Sequence, residues 1–545
     1  MNFPDRLPDN PEELKKIILS MMKNSEEEKK EKESLKNNNL HLTKEISNLQ
    51  KAITKLERRL SYFLRDKFGR KSEKISPEDL YFGYLFDEAE VGMDDSETLY
   101  DNHSESEHVK GYERKKSGRK PLPENLPRKE SVIDIPLDER ICNCGCNLNY
   151  FGDDVSEQLV YKPSELYVNK IIRKKYVCRN CSKNGTESLG PLIQSAPLPA
   201  SLLPKSNLSP SLFTEIIVSK FMDHIPLYRM EKIFLRHGVE IPRATLSNWT
   251  LGVYERHFHK FEFLHKYILS SKLLGIDESS LKVMKENSSQ ENKKSYMWLI
   301  RGGKPARPIL LYIYQPTRSA HFLVDYLKNY SGVIQVDGFQ SYETHLGKNE
   351  KITLVACMAH IRREFEKCWK SNKNTDAKII LDEIRKIYLV EKEIRILKLH
   401  ELEDYSKIFE IRKMKSEPLM DKIYSILEKY NSTKDPESDL AKATRYALGQ
   451  WSKMKNYLIY GESYIDNNMV ENGIRPFVLG RKNWLFSGSP RGADASAFWY
   501  SIIQTFKANT NDYYNGFLKL MEGLPGCKNS EECEILFRKS IGWDN

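Results

Sequence analysis

Gly332-Val-Ile-Gln-Val-Asp337 is the stretch from which the rest of the chain can be read. Val333, Ile334 and Val336 around Gln335 suit a buried strand, and the run closes on a carboxylate. Upstream, Leu273-Leu-Gly-Ile-Asp277 is a second short apolar run that ends in an acid. Between them, Tyr296-Met-Trp-Leu-Ile300 and Pro308-Ile-Leu-Leu-Tyr-Ile-Tyr314 read as two further strands, and Ala320 to Tyr330 as a helix. Beyond Asp337, Thr353-Leu-Val-Ala-Cys357 is a fifth strand that leads into a helix through His360, Arg362, Arg363 and Phe365.

Three strands, a helix, a strand, a helix and another strand is the ribonuclease-H-like order. In that order the first and fourth strands are neighbours, so Asp277 and Asp337 would sit side by side. A third acid comes much later, in Tyr464-Ile-Asp-Asn-Asn-Met-Val-Glu-Asn-Gly-Ile-Arg-Pro476. Apolar Ile465, Met469 and Ile474 interleave there with amides, the pattern of a short helix against a core with Glu471 facing a site. Three carboxylates from two strands and a helix suit a pair of hard cations about 4 Å apart, which can activate an attacking oxygen and stabilise a leaving one. Magnesium takes oxygen ligands and keeps several waters, so Asp277, Asp337 and Glu471 suffice to hold two such ions. Glu278 adjoins Asp277, but on a strand it points to the opposite face and is left out of the set. Residues 371–460 are helical and highly charged in pattern, with Ile380, Ile384, Tyr388 and Leu389 as a stripe. They read as an inserted helical subdomain that grips DNA, closes over the site or simply packs.

The bulk composition frames this reading. A chain of 545 residues is too long for one core, and roughly three or four domains are expected. A formal charge of +10 fits a polyanionic partner, and with charged residues at 30% the chain reads as soluble. No secretory leader and no apolar run able to span a bilayer is evident, so the expectation is a cytoplasmic protein without a membrane partner. Thiols stay reduced there, and nine cysteines then read as metal ligands or buried thiols.

Outward toward the N-terminus, residues 1–74 hold a heptad run. Leu35, Leu42, Leu49, Leu56 and Phe63 fall seven apart, and Ile46, Ile53 and Leu60 each precede one of them by three. β-Branched a positions with Leu at d, and Asn39 at an a position, favour a two-stranded coiled coil and hence a homodimer or higher oligomer. The alternative is a helix that packs its stripe on its own chain. Residues 75–125 form a linker, acidic first and then basic in Arg114-Lys-Lys-Ser-Gly-Arg-Lys-Pro121. Arg119 and Lys120 there suit an extended hook in a narrow minor groove, or a plain basic linker. In 126–195, Cys142, Cys144 and Cys146 face Cys178 and Cys181, enough thiolates for a tetrahedral structural zinc in a zinc-ribbon-like domain. Gln158-Leu-Val-Tyr161 and Val168 to Val177 are its strand candidates, and the spacing does not say which of the first three cysteines bind. Residues 196–265 turn helical, with stripes Leu212, Ile216, Ile217, Phe221 and then Tyr228, Ile233, Phe234, a turn at Gly238, and a third helix from Arg243. That is a helix-turn-helix pattern which would aim Arg243, Ser247 and Asn248 at phosphates or base edges. The catalytic core is expected over 266–510, with 511–545 as a C-terminal tail. The fold class is thus multidomain α+β.

These segments together resemble the bacterial insertion-sequence transposases of the sixty-six family, over nearly the whole chain. The landmarks are Leu64-Arg-Asp-Lys-Phe-Gly-Arg-Lys-Ser-Glu73, Gly118-Arg-Lys-Pro-Leu-Pro123, Lys220, Pro226-Leu-Tyr-Arg229 and Thr245 to Trp249. In the catalytic part they are Asp277-Glu278, Val336-Asp-Gly338, Ala359-His-Ile-Arg-Arg363, Asp466-Asn-Asn468 with Glu471, Gly480-Arg-Lys-Asn-Trp-Leu-Phe486 and Gly488-Ser-Pro-Arg-Gly492. The resemblance implies a transposase of the three-carboxylate (DDE) type that binds its element's terminal inverted repeats, cuts there and joins the freed 3′ hydroxyls to target DNA. It implies magnesium, with manganese able to substitute, and accessory proteins from the same element. The three acids implied fall on Asp277, Asp337 and Glu471. Arg475, Arg481 and Lys482 would neutralise phosphate near the scissile bond or form surface salt bridges, and Trp484 would stack on an unpaired base or pack in the core. One departure stands out: the family's first zinc pair is Cys-x-x-Cys-Gly, whereas here one residue separates Cys142 from Cys144 and Cys146 is extra.

Overall fold

The computed structural model describes residues 165–177, 193–286, 294–433, 436 and 438–544, with scattered positions between 12 and 46. The five cysteines of the expected zinc site, Arg119, Lys120 and the coil positions beyond Ile46 lie outside the described residues. Two compact units emerge. One takes in Met358–Ile396 and Glu410–Ser452, and the other takes in the described residues from 165 to Cys357, then Leu397–Phe409 and Lys453 onward. No helix among the described residues is long and apolar enough to cross a membrane.

The larger unit begins with a two-stranded antiparallel sheet, β1 (Lys175–Val177) with β2 (Ile193–Ser195). The strand expected from Val168 is therefore only three residues long, and Arg173 reinforces it by donating from Nε to the Ala196 carbonyl at 2.7 Å. Three helices follow: α1 (Pro210–Phe221), α2 (Leu227–Arg236) and α3 (Arg243–His257). Ser209 caps α1 by accepting from the Leu212 amide, and Ile216, Ile217 and Phe221 are buried on one stripe. Gly238, at φ 80°, ends α2 in the left-handed region where a side chain would be strained. Leu246, Thr250 and Val253 turn the inner face of α3 to the core at i, i+4, i+7 spacing. α4 (Phe263–Leu269) leads to the sheet.

The main sheet is mixed: β3 (Leu273–Leu281), β4 (Ser295–Lys304), β5 (Arg307–Gln315), β6 (Gly332–Gln335) and β7 (Ile352–Val355). Its spatial order is β5-β4-β3-β6-β7. β3 runs antiparallel to β4 and parallel to β6, so the first and fourth of these strands are neighbours. Short helices α5 (Phe322–Tyr326) and α6 (Gln340–Leu346) link β5, β6 and β7. The helix expected over 320–330 shrinks to five residues, its flanks being turns.

The smaller unit contains α7 (Met358–Asn372), α8 (Thr375–Ile396), the end of α9 (Tyr405–Ile411), α10 (Glu417–Thr433) and the bulk of α11 (Asp439–Ile459). The stripe of α8 is Ile380, Ile384, Ile387 and Tyr388, all buried; Leu389 faces away and is 46% exposed. Inside this unit the Arg412 guanidinium meets Glu391 in a two-pronged pair at 2.9 and 3.0 Å, both side chains buried. A guanidinium removed from water needs this fork-to-fork geometry to recover its solvation.

The larger unit resumes with α12 (Asn468–Trp484), α13 (Pro490–Asn509), α14 (Tyr513–Gly523) and α15 (Ser530–Ile541). α13 solves a problem posed by β5, which lies at the sheet edge. Edge strands leave backbone groups unpaired. Thr505 accepts from the Leu310 amide at 3.1 Å, Ser501 accepts from the Tyr312 amide at 2.8 Å, and Asn509 donates to the Pro308 carbonyl at 2.8 Å. One helical turn thus matches two strand residues, about 6 Å against about 7 Å. The stretch 511–545, read from sequence simply as a tail, supplies core: Phe517, Leu520, Cys533 and Phe537 are fully buried.

Candidate active site

β3 carries the pivot of the site. Alternation along it sends Gly275 and Asp277 to one face and Glu278 to the other. Asp277 lies within β3, opposite Leu299 of β4, whereas the sequence suggested the strand end. Asp337 lies two residues past β6, in register with the same face, since Gly275 pairs with Gln335. Its Oδ1 accepts from the Phe339 amide at 2.9 Å, which fixes the turn after β6.

α12 brings the third acid across this face. The absence of a side chain on Gly275 is what admits it: a Cβ there would lie 2.1 Å from Cγ2 of Val470. Buried Asn467 pins the start of the helix, donating from Nδ2 to the Ile276 carbonyl at 3.1 Å and from its amide to Sγ of Cys357 at 3.2 Å. Asp466 closes the preceding turn by accepting from the amide and Nδ2 of Asn468. Glu471 is one helical turn beyond Asn467. Further along, Tyr312 donates its hydroxyl to the Gly473 carbonyl, and Ile474 and Phe477 are buried. These anchors carry the helix through Pro476, which lacks the amide that would reach the Asn472 carbonyl.

The electrostatics register the convergence. Burial, the charge of Glu278 and the carboxylates of Asp337 and Glu471 push the Asp277 carboxyl up to about 8, against the opposing bond from the Glu278 amide. Such a cluster is frustrated without positive charge in its midst. Carboxylates gathered on one sheet face fit hard divalent cations. Glu278, by contrast, is neutralised by protein. It accepts from Nε of Arg318 at 2.7 Å and from the hydroxyl of Tyr342 at 2.6 Å, with its own side chain 1% exposed. The Arg318 guanidinium stacks 4.0 Å from the Phe339 ring centroid, tying this network to the Asp337 turn. Burial pushes the Glu278 carboxyl up, and the bonds from Tyr342 and Arg318 oppose it. Arg318 and Tyr342 were not foreseen from sequence, because a loop and a short helix gave no periodic signal.

The other site residues divide by environment. Arg481 is half-buried and clamps α12 to β3: its Nη1 donates to the Ser280 hydroxyl at 2.8 Å and carbonyl, and to the Ser279 hydroxyl at 3.2 Å. Lys482 and Arg475 have exposed side chains. Trp484 packs edge-on to Phe477 at 5.6 Å, with Nζ of Lys220 6.0 Å from its ring. On α3, Arg243 and Asn248 are exposed and Ser247 is half-buried.

Comparison with known proteins adds identity to this geometry. A family model described as "Transposase IS66 family" matches residues 205–495, more than half of the chain. One described as "zinc-finger binding domain of transposase IS66" matches 139–182, and one described as "Transposase C of IS166 homeodomain" matches 55–130. The chain is also similar to uncharacterized protein y4jD of Sinorhizobium fredii, 29% identical over 498 residues, 88% of this chain and 93% of that one. Uncharacterized protein y4qI of the same organism is 29% identical over 529 residues, 93% of this chain and 92% of its own length.

Proposed function

The chain belongs to the IS66 transposase family, and from that premise we propose that it is a DDE-type DNA transposase. It would bind the terminal inverted repeats of its element, cut there and transfer the freed strands to target DNA. The observation that carries the reading is the arrival of Asp277, Asp337 and Glu471 on one face of a sheet ordered β5-β4-β3-β6-β7. That order, with β3 parallel to β6 and antiparallel to β4, supports a ribonuclease-H-like core.

Asp277, Asp337 and Glu471 would hold the magnesium ions, or manganese in their place. Bound there, such ions supply Lewis-acid activation of the attacking and leaving oxygens of a phosphodiester. The chain's own share is positioning. Gly275 and Asn467 set the distance of α12 from β3, Arg481 holds the far end of the helix down, and the Glu278–Arg318–Tyr342 network steadies the Asp337 turn. Exposed Arg475 and Lys482 on the same helix are suited to phosphate contacts.

DNA recognition is proposed for α3 through Arg243, Ser247 and Asn248, and for the basic segment with Arg119 and Lys120. The zinc-finger match supports a structural zinc on cysteines of the 142–181 region. In the described N-terminal helical residues Leu35, Leu42 and Ile46 are exposed, which supports a zipper between copies. Accessory proteins of the same element and a site of action in the bacterial cytoplasm, on the nucleoid, complete the proposal.

The test is a cleavage and strand-joining assay on DNA carrying the sequences that flank the gene, with magnesium. Asp337→Asn is expected to lower both activities by at least about a hundredfold. Full activity of that variant would overturn the assignment.

A further inference from the structure

Within the larger unit, a cavity of about 310 Å³ opens under the first turn of α12, lined among others by Arg301, Tyr405, Tyr464 and Met469. None of the three acids lines it. Arg301 lies on β4 opposite Gly275, on the face that α12 covers. Its hydrogen-bonding partner is a thioether, Sδ of Met469 at 3.5 Å, and no carboxylate among the described residues pairs with it. Burial lowers the affinity of its guanidinium for its proton. A guanidinium with its donors spent on one weak acceptor is costly to hold away from water.

We infer that this cavity is a binding site for a phosphate-bearing nucleotide unit, with Arg301 as the anion anchor. Lys272 and Arg307 line the same cavity and are exposed. Three basic groups favour a phosphate over a single carboxylate, and the planar fork of Arg301 matches two phosphate oxygens. Across the whole lining the basic Lys272, Arg301, Lys304, Arg307 and Arg538 outnumber the acidic Glu403, Glu462 and Asp466. Glu403 is committed to Lys304 at 3.0 Å, and Asp466 to the turn that starts α12. Glu462 is the acid left to accept from a sugar hydroxyl or a base amino group. Tyr405, Tyr464 and Trp543 add aromatic rings to the lining, with Lys272 over Tyr405, Arg307 over Trp543 and His400 stacked on one face of Tyr464, and the volume is at the lower end for small-ligand sites, about 300 Å³. The nucleotide can be free, or it can be the terminal unit of a DNA strand; the second source rests on the transposase reading. Met469 lies two residues before Glu471, so a filled cavity would bear on the helix that carries the third acid.

The experiment titrates the full-length chain, by calorimetry, with dAMP, with a 5′-phosphorylated single-stranded oligonucleotide and with the same oligonucleotide bearing a 5′ hydroxyl. Saturable binding of dAMP or of the phosphorylated strand is expected, weakened at least tenfold in Arg301→Gln. Tighter binding of the phosphorylated strand than of dAMP assigns a DNA end, and equal or tighter binding of dAMP assigns a free nucleotide. Asp337→Asn should bind as the wild type does, so a failure of strand cleavage and a failure of this site are read separately. Should Arg301→Gln not fold, Ser270→Trp, at an exposed position on the cavity lining, must block binding. No saturable binding by the wild type, or wild-type affinity in a folded Arg301→Gln or Ser270→Trp variant, overturns the inference.

Discussion

Asp277 and Glu278 are consecutive in the chain, yet they face opposite sides of β3 and meet different partners. On one side Asp277 faces Asp337 and Glu471; burial first, then the charge of Glu278, and last those two carboxylates push its carboxyl up to about 8. On the other Glu278 is bonded to Arg318 and Tyr342 within a buried layer. The same residue chemistry therefore does two jobs. A carboxylate supplied with protein counter-charge is held in place by it, and one placed among other carboxylates is left without such a partner. The pleat alone makes the separation, because consecutive side chains on a strand cannot share a face.

The largest effect is expected at Asp277. Asp277→Asn is expected to reduce DNA cleavage by at least about a hundredfold, read in the magnesium assay. The same change should stabilise the metal-free protein at alkaline pH. The folded carboxyl holds its proton to about 8, well above the ordinary carboxylate value of 3.8, so the folded state binds a proton that the unfolded state releases. Its contribution is fully present below the unfolded value and is lost as pH rises through about 8. Melting curves in a chelator from pH 5 to 9 should fall less steeply for Asp277→Asn than for the wild type; parallel curves would refute the electrostatic account.

On the opposite face the loss should appear in stability. Arg318→Met leaves Glu278 buried with only the Tyr342 hydroxyl, and about 1–2 kcal/mol is expected, discounted because Arg318 is about half exposed. Denaturant melts at pH 7 and pH 4 check it, the deficit shrinking at pH 4 as Glu278 takes up a proton. Gly275→Ala sharpens the comparison at the contact between strand and helix. The added methyl meets Val470, which must move, at a cost of about 1–3 kcal/mol. Because Glu471 moves with that helix, cleavage should fall by more than the melting shift accounts for. The smallest effect is expected at the sheet edge: Ser501→Ala leaves the Tyr312 amide without its acceptor, about 1 kcal/mol by thermal melting, with cleavage nearly unchanged.

Much of the framework was legible in advance. Apolar runs located the strands, and period-two alternation already separated Asp277 from Glu278. Helical stripes found α1 and α8, although Leu389 was placed on the buried side where Ile387 belongs. These are properties of neighbouring residues, and short-range periodicity records them. The family resemblance rested likewise on local motifs, and the IS66 match agrees with it.

What only the tertiary structure decided are pairings between distant positions. Val470 fits over Gly275, Arg318 and Tyr342 neutralise Glu278, the hydroxyls of α13 serve the amides of β5, and Arg301 is left facing a cavity. A glycine inside an apolar strand looks like a weak position until the helix that needs the space is packed against it. A lone glutamate beside a catalytic candidate looks like a spare ligand until its counter-charges arrive from other elements. Sequence by itself determined which residues could carry the chemistry, because that depends on side-chain type and local spacing. The tertiary structure decided which of them share a face, a counter-ion or a cavity, because those depend on contacts between residues that the chain holds far apart.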